Sequence, residues 1–538
     1  MADSLSTFNT RNPETPQTKK AAKGQKKNNA GGFSFKVSDF DRVKRFLILG
    51  SDQSFYQSGV ELTEQNAKTL IRVAGKQHKE LVDLVVEYSV EGRVPKQDTT
   101  LFALAILSSI GSDEERSYAL SKLSTVARTG TALFQFVKYV GQFRGWGRGL
   151  RRAVSAWYTE KTPDKLAYQV AKYKNREGYS HRDVMRLAHP VAEDEDVQAV
   201  IKWAVKGEVT PSSNFPVVIS QSLSAKDKTP GEIVNFLKNL GGDLALSWEM
   251  LPTEALADAD VWKILLDADK VPLGALMRNL SRLSRLGVLK PLSKHAKLVT
   301  ARLTDAERIK KSRLHPLTII KAKYAYDRGY NDRGSENWTV NSTVSNALEK
   351  AFFLSFGNVE AADKRTLLAI DVSGSMTWSN IAGTQLTPRD AAAAMALVTV
   401  KSEPETMVTT FSGGWGSSSL TEVNINSSTS LDAAIRTINN QLAGGTDCSL
   451  PMLHAIAEDL EVDTFIVYTD SETYAGRMHP HEALEKYRKH SGIDARLIVV
   501  GMVSNGFTIA NKNDSGMLDV VGFDTAAPQV MAQFSRGL

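Results

Sequence analysis

The chain has 538 residues, 42% of them apolar, which is enough for two or more domains with cores of their own and excludes disorder throughout. Its single cysteine, Cys448, excludes an intrachain disulfide and a cysteine-rich zinc cluster and favours a reducing compartment. The net charge of +6 is divided: residues 361–538 hold 12 Lys and Arg against 20 Asp and Glu, a net of −8, and residues 1–360 hold 54 against 40, a net of +14. A large basic part beside an acidic one points to a polyanion bound mainly by the first. No run approaches the roughly 18 to 20 apolar residues of a membrane span, and the first residues lack a signal peptide's apolar core. A cytoplasmic protein without membrane contact is expected.

Residues 1–32 are rich in Thr, Asn, Pro, Lys and Gln, and KKAAKGQKK from Lys19 to Lys27 has no apolar partners. A flexible basic tail is expected there, either solubilising or touching phosphates weakly. From about Asp39 the pattern becomes helical, with apolar positions at threes and fours over Glu64–Gly75, His78–Glu91, Thr99–Ile110 and Asp113–Val126. It continues through Thr131–Tyr139, Gly149–Tyr158, Thr162–Tyr173, His181–Ala188, Asp194–Lys206, Pro230–Leu237, Ala257–Leu265, Leu273–Leu286, Asp305–Lys311 and Val344–Leu354. Helices in series joined by short turns predict a helical repeat array over residues 33–360 or, failing that, an ordinary compact helical domain.

Three stretches of this part concentrate cations. FRGWGRGLRRAVSAWY places Arg144, Arg148, Arg151 and Arg152 among glycines at a helix start, where backbone N–H groups can hold a phosphate. Trp157 reads as core; Trp146 fits core or stacking. In KYKNREGYSHRDVMRLAHP, Lys172, Lys174 and Arg176 close one helix, and His181, Arg182 and Arg186 open the next, with Ser180 as N-cap. Asp183 can pair with Arg182 or Arg186, but the remaining cations lack a local acid, so phosphate is the expected partner. In LMRNLSRLSRLGVLKPLSKHAK, Arg278, Arg282 and Arg285 form one helix stripe, extended by Lys290, Lys294, His295 and Lys297. NDRGSENWTVNS, from Asn331, reads as an exposed loop.

Over residues 361–538 strands and helices alternate, which predicts a mostly parallel sheet covered on both faces. Strands are expected at Leu367–Ile370, Thr406–Phe411, Thr464–Thr469 and Arg496–Met502, and helices at Asp390–Val400, Leu431–Leu442, Ser449–Leu460 and Pro480–Lys489. The first strand stops at Asp371, and Ser373 and Ser375 follow with Gly374 between them. Thr446 in GGTD and Asp470 at the end of a second strand complete an oxygen-only set, Asp371, Ser373, Ser375, Thr446 and Asp470, at the carboxyl edge of the sheet. Such ligands suit a hard divalent cation, Mg2+ in particular. This set resembles the metal-ion-dependent adhesion site of von Willebrand factor A domains, where the ion keeps an open position for an acidic group of a protein ligand.

Taken in order, RFLILGSDQSFY, FRGWGRGLRRAVSAWY, NREGYSHRDVMRLAHP, LSWEMLPTEAL and MRNLSRLSRLGVL, followed by the metal-site domain, resemble a bacterial, Rsr-like member of the Ro 60-kDa ribonucleoprotein family. The resemblance implies a HEAT-like helical ring, the TROVE module, closed by a von Willebrand factor A domain. It implies Y RNA on the ring's outer surface, with Lys172, Arg176 and His181 carried over by position, and single-stranded 3′ ends of misfolded or precursor non-coding RNA, including rRNA, in the central cavity. Exoribonucleases such as polynucleotide phosphorylase are the implied protein partners, in RNA maturation, quality control and stress. A non-enzymatic RNA-binding protein is therefore expected. The alternatives are a metal-dependent adhesion scaffold, against which the +14 part argues, and a metal-dependent nuclease, which would need a second ion or a general base.

Overall fold

The computed structural model describes residues 14–50, 59–209, 215–331, 336–357, 359–381, 384–413 and 419–538. The chain divides into two compact units, one of residues 1–70 with 356–538 and one of residues 71–355. The helical unit is thus an insertion between two parts of the α/β unit.

From residue 14 onward the expected flexible tail is a correction: residues 14–36 are folded onto the α/β unit. Strands β1 (Lys26–Lys27) and β2 (Phe33–Lys36) pair antiparallel, and β2 pairs again with β10 (Phe507–Thr508). Lys19, Lys20, Lys23, Lys26 and Lys27 face solvent, while Gln17, Gln25, Asn28 and Ala30 are buried. The segment contributes hydrogen bonds rather than an apolar face, which is why its composition reads as a tail. The SDQSFY part of the first motif lies outside the described residues, and its RFLIL part is the second half of the helix Asp39–Leu49, capped by the Ser38 side chain. Arg45 of that helix is 1% exposed and forks onto the Asp519 carboxylate at 2.6 and 2.9 Å while donating to the Phe507 carbonyl at 2.8 Å. Gly501 lets it in: a Cβ there would meet the guanidinium at 2.6 Å.

In the helical unit most predicted helices are found within a few residues of their expected bounds. Glu64–Gly75 and His78–Glu91 are the two arms of Gly59–Glu91, broken by non-helical Gln77. Three helices were not expected: Val217–Lys226, Lys294–Leu303 and Pro316–Asp327. The first and third carry β-branched runs without an amphipathic stripe, and burial on several sides replaces periodicity. A short hairpin, β3 (Asn175–Arg176) and β4 (Tyr179–Ser180), joins the helices Pro163–Lys172 and His181–Ala188, turning through Glu177 and Gly178 at positive φ.

The α/β unit is built on six strands, in the order β11 (Met517–Val521), β9 (Arg496–Gly501), β8 (Thr464–Thr469), β5 (Thr366–Asp371), β6 (Thr406–Ser412), β7 (Ser419–Glu422). All neighbours are parallel except β6 and β7. The four expected strands form its centre, fully buried over β5 and β8. The edge strands β7 and β11 and the last helix, Ala527–Arg536, were not expected. Leu367, Ala369, Phe465, Val467, Leu497 and Val499 present one face to a core shared with Met452, Leu484 and Tyr487. The period of two along three adjacent strands sets that face.

Candidate metal centre and nucleic-acid interface

The carboxyl edge of the sheet gathers the predicted oxygen donors. β5 and β8 are in register, Ile370 opposite Tyr468, so Asp371 and Asp470 leave adjacent strands side by side. Asp371 accepts from the Ser373 N–H at 2.9 Å and the Thr469 hydroxyl at 2.6 Å, and the Ser373 and Ser375 hydroxyls lie 3.1 Å apart. The Thr446 loop is tied to the same edge, because Gly374 donates to the Gly444 carbonyl at 3.3 Å and Gly413 to that of Gly445 at 2.7 Å. All five side chains are buried. Burial, and then the neighbouring Asp470, pushes Asp371 up to about 7, and burial raises Asp470 as well.

Two buried carboxylates with no cationic side chain bonded to them among the described residues, flanked by three hydroxyls, fit a hard dication that takes oxygen donors and keeps waters. Among the described residues no three His, Cys, Asp or Glu side chains form a metal-holding group, so any ion here would rest on hydroxyls as much as on carboxylates. The N-terminal segment locks the loops behind this edge. The Gln17 amide donates to Asp447 at 2.9 Å and to the Met478 carbonyl at 2.7 Å, and accepts from Thr473 at 2.7 Å. Glu472, two residues after Asp470, accepts from the Asn29 N–H and side-chain amide at 2.7 Å each and from Asn505 at 3.0 Å. Burial and Asp470 push its carboxyl up to about 8. Gln17, Asn29 and Glu472 went unread because their partners lie more than 400 positions away in sequence.

The cationic stretches fall on the helical unit. Lys174, Arg176, Arg182 and Arg186 are exposed around the β3–β4 hairpin. Asp183 closes a capping box with Ser180, bonding its N–H at 2.9 Å and hydroxyl at 2.6 Å, and makes no ion pair with Arg182 or Arg186. Lys172 is drawn inward: its ammonium lies 3.5 Å from Glu249 and beside the Tyr168 and Tyr173 rings. His181 departs from its expected place among the contacts. It is 3% exposed, faces the Phe134 ring edge-on, lies over Trp157 and meets the Tyr158 hydroxyl at Nδ1, 3.1 Å. Burial pushes it down to about 3, so it is neutral, and it anchors the base of the hairpin rather than reaching a phosphate.

Arg144 and Arg148 line a cleft of about 540 Å³ together with Arg152 and Arg116, the last supplied by a helix that sequence reasoning did not connect to them. Arg144 is braced by the Ser108 carbonyl at 2.7 Å, Arg148 is exposed, and Trp157 is core, its Nε1 donating to Ala127 at 2.5 Å. Arg278, Arg282 and Arg285 share one face of the helix Leu273–Arg285. The expected extension of their stripe is partly neutralised, since Lys294 and His295 both approach Asp267, at 3.0 and 3.3 Å.

Comparison with known proteins agrees with this arrangement. Residues 26–216 and 243–328 match the TROVE domain, and residues 365–535 match the Ro60 vWA domain. The chain is 40% identical over 529 residues to a Deinococcus radiodurans protein named RNA-binding protein RO60, covering 97% of each chain. It is 35% identical over 598 residues to the protein of the same name from Caenorhabditis elegans, covering 97% of this chain and 91% of that one. The crystal structure of the Deinococcus radiodurans RO (RSR) protein superposes with a TM-score of 0.67 at 38% identity, over 93% of this chain and all of that one. A helical TROVE region followed by a vWA domain with a largely parallel sheet, over nearly the full length of such relatives, makes this chain a member of the Ro60 family.

Proposed function

We propose that this chain is a non-enzymatic RNA-binding protein whose helical unit holds RNA through its phosphates. The observation that carries this reading is the hairpin platform, where Lys174, Arg176, Arg182 and Arg186 are exposed together and no acid is bonded to them among the described residues. Positively charged groups fixed on a rigid turn position a phosphate backbone. The names of the relatives support the same reading. In finer terms, Y RNA lies on the outer face of the helical region against the hairpin. Single-stranded 3′ ends of misfolded or precursor non-coding RNA, rRNA included, enter its central cavity, and the protein delivers RNA to exoribonucleases such as polynucleotide phosphorylase in the cytoplasm.

The sheet edge of the α/β unit holds Mg2+ through Asp371, Ser373, Ser375, Thr446 and Asp470, and the ion offers an open position to an acidic group of a protein partner. Its donors are committed to holding an ion, and no histidine is hydrogen-bonded to them as a general base among the described residues. Affinity for a structured RNA with a single-stranded 3′ tail, measured against salt, tests the reading: it should fall steeply as salt rises. A flat response, or RNA cleavage with Mg2+ that Asp371→Ala abolishes, would overturn it.

A further inference from the structure

After Asp470 the chain runs through the loop 471–479, and residues 14–36 take up its polar groups almost one after another. Ser34 donates to the Ser471 carbonyl at 2.8 Å, Asn28 to that of Thr473 at 2.8 Å, and Thr15 to that of Tyr474. The Gln17 side chain accepts from the Gly476 N–H at 3.0 Å, and His479 Nε2 meets the Lys19 carbonyl at 2.8 Å. The two backbones are pressed together at Gly32, where a Cβ would overlap the Thr473 carbonyl oxygen. Two of the contacts lead on to predicted metal ligands. The Glu472 carboxylate is turned to the segment and held by the Asn29 N–H and side-chain amide, while the Glu472 N–H donates to the Asp470 carboxylate at 3.0 Å. Asn29 thus orients the residue that orients Asp470. On the other side Gln17 accepts from the Thr473 hydroxyl, and the next two residues, Tyr474 and Ala475, donate their N–H groups to the Thr446 carbonyl at 3.0 Å each. Thr446 and Asp470, the two donors outside the Asp371 strand and its turn, both rest on partners of the N-terminal segment.

What holds the segment down is of a kind that opens locally. It buries the polar side chains of Gln17, Gln25, Asn28 and Ser34, but of its apolar side chains only Ala30 and Phe35. Its strand pairing is two residues deep on either side of β2. Each of its hydrogen bonds replaces one made with water, so the net gain per bond is modest, and a segment with few apolar contacts can open while the rest of its unit stays folded. An ion at the sheet edge needs Thr446 and Asp470 in place, and their supports are in place only while the segment is docked.

We infer, resting on the reading of the sheet edge as a Mg2+ site, that residues 14–36 are a positioning element of that site: docked, they set Thr446 and Asp470 for the cation, and the cation in turn keeps them docked. Such coupling is reciprocal, so the factor by which docking tightens the ion is the factor by which the ion tightens docking. Hydrogen exchange of the full chain, followed by mass spectrometry with and without saturating Mg2+, reads it in the wild-type protein. Peptides from residues 14–36 should exchange roughly 5- to 150-fold more slowly with Mg2+, and the difference should vanish in Asp371→Ala. In calorimetry the double variant Gln17→Ala with Asn29→Ala should bind Mg2+ more weakly by a factor in the same range, roughly 5- to 150-fold. A segment that only braces the fold would exchange at one rate whether or not the ion is present. That outcome, a response to Mg2+ that persists in Asp371→Ala, or unchanged Mg2+ affinity in a folded double variant each overturns the coupling. Where the double variant does not fold, the exchange of the wild-type chain decides. A wild-type chain that takes up no Mg2+ in calorimetry overturns the metal reading itself, and the coupling with it.

Discussion

In the α/β unit the charges that matter are inside, and in the helical unit they are outside. Asp371, Asp470 and Glu472 are buried within one cluster of loops, and Arg45 and Asp519 meet beneath a sheet edge. Lys174, Arg176, Arg182 and Arg186 stand in solvent on a hairpin whose own acid, Asp183, is spent on a helix cap. A buried charge is bound to the stability of its unit, because removing its partner leaves it desolvated and unpaired. A solvated one contributes little to folding and is free to serve a ligand. The same residue types therefore do different work in the two units.

The largest expected effect comes from breaking a buried pair. Arg45→Ala leaves Asp519 unpaired and should lower unfolding free energy by about 3–5 kcal/mol, read as an early transition in urea. A variant as stable as wild type would dissolve the contrast. Next in size is the pH dependence of the sheet edge. The Asp371 carboxyl, ordinarily near 3.8, is raised to about 7, so below pH 7 a cation must displace its proton. Mg2+ affinity measured by calorimetry should climb by up to about tenfold per pH unit from pH 5 to 7 and flatten above. Without the cation the sign reverses, because the native carboxyl keeps a proton that the unfolded chain releases, so stability should fall as pH rises from about 4 to 7.

Smaller again is the loss of one platform cation. Arg186→Gln should weaken RNA binding several-fold and reduce the salt slope by about 1, in a filter-binding titration at several salt concentrations. The smallest effect sharpens the comparison from the other side: Arg182→Gln should change unfolding free energy by no more than about 0.5 kcal/mol. A large loss there would mean that the hairpin cations hold the fold as Arg45 does.

What the sequence made legible follows the same division. The Asp371 strand and its two serines were readable because an apolar run, a sharp glycine turn and the ligands are contiguous, and strand–helix alternation placed Thr446 and Asp470 at the same sheet edge. Exposed cations were readable as a surplus of charge. Buried polar groups outside such a contiguous motif were not: His181 sits among cations in the sequence, but Phe134, Trp157 and Tyr158, from other helices, enclose it.

The folded N-terminal segment has a consequence for the timing of synthesis. The Asp447 carboxylate that Gln17 bonds leaves the ribosome 430 positions after it. At roughly 5–20 residues per second that is a wait of about 20–90 s, during which the helical insertion is complete and free to fold. The first strands of the chain are therefore among the last to find their places, and the α/β unit closes only when its C-terminal part has been made.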